Sequence, residues 1–186
     1  MLKACWDCIS GAIDNRNQVQ NEESYGVHLN GNTQGAPPWP QPQTENETMF
    51  LLPRKLQYED NILISGQMTN QPQLLTVNLV TDSNGMPDYQ NIACQVEVRF
   101  NEDKTYLKTI INGNVETINS DSPSELFGDS SFDFEFKITY RGPAVEIYKG
   151  DSYLGQVDLK HSIDYIRYLT VYGDVQKVNK LEFKFV

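Results

Sequence analysis

Beyond Met49 the sequence never sustains a helical period. Short apolar or alternating runs follow one another instead: NILISGQ, QLLTVNLV, NIACQVEVRF, TYLKTIIN, SFDFEFKITY, AVEIYKG, YLGQVDL, YIRYLTVYG and KLEFKFV. Asn, Gly, Asp and Pro separate them. Short strands at close spacing with turn residues between them predict an all-β fold, an antiparallel β-sandwich, and argue against a parallel α/β sheet. Phe132, Phe134, Phe136 and Ile138 alternate with Asp133, Glu135, Lys137 and Thr139, the pattern of a half-buried antiparallel strand. DSNGMPD, Asp82 to Asp88, suits a loop with a positive-φ position, and Lys149-Gly150-Asp151 suits a tight hairpin. Ten Tyr and eight Phe supply the large aromatic area of such a core.

Residues 1–48 read differently. From Asn15 to Thr48 the chain is rich in Asn, Gln, Pro and Gly, with too few apolar residues to offset the entropy of ordering a backbone. APPWPQPQ has polyproline II character, and Trp39 within it is a candidate anchor for a protein partner. The expectation is a disordered tail, 1–48, and one domain, 49–186.

A formal net charge of −10 and the absence of any Lys/Arg run argue against nucleic acid as a partner. No stretch of about 18 apolar residues is present, so no membrane span is expected. MLKACWDCISGAIDNRNQ lacks the plan of a secretory signal. The sequon Asn46-Glu47-Thr48 would matter only on the secretory route. Three cysteines make no disulfide framework. Cys5 and Cys8 have CxxC spacing, but a metal site needs two more ligands and a redox pair needs a following helix. An ordinary pair of tail thiols is the default.

NIACQVEVRF, Asn91 to Phe100, carries the chemistry. Ile92, Cys94, Val96, Val98 and Phe100 fall on one side; Ala93, Gln95, Glu97 and Arg99 fall on the other. Glu97 and Arg99 lie about 7 Å apart along a strand, so their long side chains can pair with one another instead of with a ligand. The bland reading is such a pair on a solvated face, worth a few tenths of a kcal/mol. The sharp reading is a surface that grips a partner.

The order of segments from Phe50 to Val186 resembles a galectin carbohydrate-recognition domain. Leu52-Pro53, Leu56 and NILISG resemble its opening; QLLTVNLV, its next strand; SELFGDSSFDFEFKITY, its Phe-rich stretch. VEIYKGDSYLGQVDLKH resembles its hairpin followed by a His, here His161, and IRYLTVYGDVQKVNKLEF its closing Gly-Asp strand pair. The resemblance implies a jelly roll and a galactoside-binding lectin with no catalytic role, metal or cofactor.

The galectin sugar strand ends in a His, one residue, then Asn-Pro-Arg-Phe. By that resemblance Gln95 stands at the His, Glu97 at the Asn and Val98 at the Pro, while Arg99 and Phe100 are retained. Asn112 in TIINGN corresponds to the Asn of the next strand, and Glu116 to a following Glu. The family's stacking Trp has no counterpart, since Trp6 and Trp39 both lie in the tail. Losing one stacked ring costs about 0.5–1.5 kcal/mol, roughly tenfold in affinity.

Three readings follow. The first is sugar binding through Gln95, Glu97, Arg99, Asn112 and Glu116, with Glu97 disfavouring sialylated or sulfated glycans by charge repulsion. The second is a scaffold with a decayed sugar site that acts through protein contacts. The third, a hydrolase, lacks the facing carboxylates a glycosidase needs. Arg99 and Asn112 favour the first. KLEFKFV reads as an edge strand suited to homodimer pairing, with lysines that blunt aggregation. The expected location is the cytosol, with export by a signal-independent route implied by the resemblance.

Overall fold

The alternation in NILISGQM and DFEFKITY is realised as two neighbouring strands. Ile62, Ile64, Phe134, Phe136 and Ile138 face inward, while Leu63, Ser65, Glu135 and Lys137 face out. The computed structural model describes residues 46–122 and 133–186. The tail, with Cys5, Cys8 and Trp39, lies outside the described residues.

Among the described residues, eleven strands form two antiparallel sheets. They are β1 (Thr48–Leu51), β2 (Asn61–Met68), β3 (Leu74–Ser83), β4 (Met86–Arg99), β5 (Lys104–Ile111) and β6 (Asn114–Ser122). Then come β7 (Asp133–Tyr140), β8 (Ala144–Lys149), β9 (Ser152–Asp158), β10 (Ile166–Gly173) and β11 (Val175–Lys184). One sheet has the order β1-β10-β3-β4-β5-β6 and the other β11-β2-β7-β8-β9. Between them lies a continuous core in which Leu75, Val77, Val96, Val98 and Leu169 of the first sheet meet Ile64, Phe136, Ile147 and Phe183 of the second. Each such side chain contributes about 1.5–3 kcal/mol on leaving water. Glu47 is buried and Thr48 opens β1.

β11 lies at a sheet edge, as KLEFKFV suggested. The segment after Asn112, absent from the alternating runs above, forms edge strand β6. Val115, Glu116, Thr117 and Ile118 of that strand are all exposed, so no burial alternation marks it. Asn112-Gly113 and Asn84-Gly85 both have positive φ at each residue (51° and 78°; 57° and 81°). That is the two-residue turn whose twist matches a hairpin. DSNGMPD is therefore a hairpin tip with β4 starting at Met86, rather than a wide loop.

Two close backbone contacts fix the strand arrangement, one within the five-stranded sheet and one between the sheets. A Cβ on Gly66 would sit 2.3 Å from the carbonyl oxygen of Lys177 and 2.7 Å from the Phe134 ring. Where the chain leaves one sheet for the other, Asp174 accepts hydrogen bonds from the backbone N–H groups of Gln73 (2.6 Å) and Leu74 (3.0 Å). Its own N–H donates to the Leu74 carbonyl, and its carbonyl accepts from Thr69.

Cys94 is wholly buried, which pushes its thiol up to about 12. His161 packs near Asp88 and the backbone of Ile110. Burial lowers its pKa below the usual value, with the Ile110 backbone and Asp88 opposing.

Gly66→Ala is expected to cost about 1–3 kcal/mol, read as a lower urea midpoint, because the clash is with backbone. For His161 the unfolded chain takes up the proton first as pH falls. Stability is therefore full above about pH 6.5 and declines below it. Urea midpoints of wild type and His161→Gln at neutral and mildly acidic pH should show a shallower decline in the variant.

Candidate functional site

β4 breaks register with β3 twice, and at the second break, opposite Leu79 and Val80, it carries one extra residue. Leu79 pairs with Cys94 but Val80 with Ile92, and Gln95 pairs with Lys108 but Ile92 with Ile110. The bulge at Ala93 turns both Ala93 and Cys94 into the core and moves Ile92 to the outer face. Strict alternation had placed Ile92 inside and Ala93 outside; the inserted residue reverses both.

The outer face of the six-stranded sheet is thereby divided. On one side of the bulge Val80, Ile92 and Tyr168 form a small buried apolar cluster with Met49, Tyr89 and Ile110 packed on it. Tyr168 Oη donates to the Gly85 carbonyl at 2.8 Å; burial and nearby Asp82 push the phenol up to about 12. Tyr89 Oη donates to Glu47 Oε2 at 2.8 Å.

On the other side the face is polar. One row runs Thr170, Asn78, Gln95, Lys108 and Thr117, and the next runs Tyr172, Thr76, Glu97 and Tyr106. Directly opposed residues in antiparallel strands share a face, so these side chains meet. Gln95 Nε2 donates to Asn78 Oδ1 (3.0 Å), and Asn78 Nδ2 donates to Thr170 Oγ1 (3.1 Å). Glu97 accepts from Arg99 Nε at 2.5 Å and from Lys108 Nζ at 2.8 Å. Arg99 Nη1 also donates to Glu102 Oε1 (2.9 Å), whose Oε2 accepts from the Tyr106 hydroxyl (2.7 Å). These bonds, from Tyr106 first and Arg99 next, hold the Glu102 carboxyl below its usual range; Glu102 and Glu97 raise the Arg99 guanidinium. Arg99 and Lys108 each stand 5.1 Å from the centre of the Tyr106 ring.

The ladder is thus a closed network rather than a solvated face. Gln95 is 5% exposed and Glu97 8%. Two cations neutralise Glu97, which removes it as a source of repulsion toward anionic glycans. Arg99 remains reachable, with 40% of its side chain exposed.

Asn112 and Glu116 do not join this group. Asn112 occupies the β5–β6 turn, where its N–H donates to Asn91 Oδ1. Arg99 pairs with Lys104 at the opposite end of β5, about 25 Å away at the rise of a strand. The Asn112-Gly113 turn, a strong hairpin signal, was the clue to that placement. Glu116 pairs with Thr109, whose neighbours Lys108 and Ile110 face the ladder side. Glu116 is exposed and belongs to the other face of edge strand β6. In their place the register brings Tyr106, Lys108, Thr76 and Asn78, with Glu102 from the adjoining turn. All four strand residues were visible as the polar partners of Leu107, Leu75, Val77 and Leu79 in TYLKT and LLTVNLV. No group of three His, Cys, Asp or Glu able to hold a metal ion occurs among the described residues.

A family model described as galactoside-binding lectin matches residues 47–183. The structure is similar to that of sheep galectin-11, solved with glycerol: TM-score 0.62 at 12% identity, covering 76% of this chain and 99% of that one. It is also similar to a homodimeric agglutinin from chicken liver, CG-16 (TM-score 0.57, 16% identity, 74% and 99% covered). Caenorhabditis elegans galectin LEC-6 gives a TM-score of 0.58 at 11% identity, with 74% and 96% covered. No curated protein sequence matches the chain closely enough to count as a relative.

Lys108→Ala leaves a buried carboxylate with one cation instead of two. The expected loss is about 1–3 kcal/mol in urea unfolding, below the full cost of breaking a buried pair because Arg99 stays. Lys108→Ala combined with Glu97→Gln should recover part of it.

Proposed function

Because the chain belongs to the galactoside-binding lectin family, we propose that it is a non-catalytic, metal-independent glycan-binding protein. Its ligand is a β-galactoside-type or related neutral glycan held on the polar half of the six-stranded sheet. The observation that carries this reading is Arg99. Its guanidinium has five N–H donors; two are used, toward Glu97 and Glu102, which leaves three for a ligand. It lies beside the Tyr106 ring, a partly exposed aromatic surface. Gln95 and Glu97 then act from beneath, Glu97 by fixing Arg99 and Lys108 and Gln95 by ordering Asn78. Asn112 and Glu116 are left as peripheral contacts for a longer glycan. The preference for neutral ligands rests on Glu102 and on the net charge of −10, not on Glu97.

One observation favours a second reading, a galectin-fold scaffold acting through protein contacts. Gln95 and Glu97 are buried and already satisfied within the protein, so a ligand gains little from either. The Pro-rich tail is the natural candidate for such contacts.

A glycan array with wild type and Arg99→Ala separates the two. Under the proposal the wild type binds galactose-terminated neutral glycans and is retained on lactose-agarose, and Arg99→Ala weakens binding by about tenfold or more. A wild type that binds no glycan gives the scaffold reading.

A further inference from the structure

The five-stranded sheet has its own polar cleft. A cavity of about 510 Å³ opens at one end of it, bordered by Ser65 and Gly66 of β2, Asp133 and Glu135 of β7, Ser152 and Lys149 of the β8–β9 hairpin, and Asn179 of β11. Pockets that take small ligands span about 300–1,000 Å³. Two backbone features shape this one. At Gly66 the missing side chain lets β11 approach until the Lys177 carbonyl fills the space a Cβ would need. At Asn179 the β2–β11 register slips, with Val178 opposite Gly66 and Lys180 opposite Ser65, so Asn179 is the extra residue of a bulge. Bulges of this kind re-aim a side chain out of the ladder.

The lining is polar and, Lys149 apart, unspent, unlike the ladder on the other sheet. Ser65, Asp133, Glu135, Ser152 and Asn179 make no side-chain hydrogen bond or ion pair among the described residues. Two carboxylates accept only; two hydroxyls and an amide both donate and accept; the Lys149 ammonium donates. Alternating acceptors and donors around a space of this size suit a molecule that is itself covered in hydroxyls, which donate to the acids and accept from the amide. The absence of a third acid, His or Cys makes a metal the poorer match.

We propose that this cleft is a second ligand site, one that takes a neutral saccharide of one or two rings through its hydroxyl groups. It lies on the opposite sheet from Arg99, with the core between them. The two sites can be filled together, and this one does not depend on the ladder binding anything.

Amide NMR of the full chain, titrated in turn with lactose, maltose, methyl mannoside and, as a cationic control, spermidine, reads each face separately. At least one saccharide should shift the amides of Ser65, Gly66, Glu135, Ser152 and Asn179. Glu135→Gln and Asn179→Ala should each weaken that response by about tenfold, with the Gln95, Glu97 and Tyr106 amides unmoved as proof of an intact fold. No cleft shift with any of the three sugars overturns the proposal, whatever the ladder amides do. So does a cleft response to spermidine alone, or one that both variants leave unchanged. Failure at the ladder with success at the cleft would instead count against the main glycan site.

Discussion

A single inserted residue organises the outer face of the six-stranded sheet. Because Ala93 is extra, the side-chain period of β4 resets between Ile92 and Gln95. Without it, either Ile92 would enter the core and strip the apolar cluster of its centre, or the Gln95-Glu97-Arg99 set would turn inward. A one-residue slip moves every following side chain to the opposite face. The bulge therefore lets one strand serve two surfaces: an apolar half that anchors the β3–β4 hairpin through Tyr168 and Tyr89, and a polar half that carries the ladder.

The ladder's electrostatics follow from its depth. A carboxylate as covered as Glu97 needs compensation, and Arg99 and Lys108 supply it from the same strand and the next. That arrangement fixes Arg99 at its Nε, and Glu102 holds Nη1. It also means the charge of Glu97 is felt mainly inside the protein. Under the proposed glycan-binding role, contact at this surface falls to the guanidinium, the Tyr106 ring and Glu102, with the inner residues holding those three in place.

The fold was largely legible in the sequence because its strands alternate. NILISGQM and DFEFKITY gave their inward faces directly, and the closing Gly-Asp pair marked the passage from one sheet to the other. What could not be read was anything set by register. Residues 114–118 of β6 are exposed on both faces, so no pattern betrays them. The bulge at Ala93 looks in sequence like any other alternating step. Asn112 was assigned by likeness of letters to a site across the sheet, whereas its φ of 51° gives it a turn to make. Gln95, Glu97 and Arg99 share a face because they lie on one strand at period two. That Thr76, Asn78, Tyr106 and Lys108 take the polar side of β3 and β5 is readable from alternation, but that they meet the ladder is not, because cross-strand opposition depends on exact pairing, which a hydrophobic pattern does not specify.

The place of Cys94 has a wider consequence. It is the one thiol of the described residues, and burial holds it in the unreactive protonated form. Oxidants act on exposed thiolate, so they find no purchase on this residue while the sandwich is intact. Among the described residues the sandwich holds no disulfide to reduce and no accessible thiol to oxidise. Its stability is thereby uncoupled from glutathione poise, and the same packing serves under reducing and oxidising conditions alike.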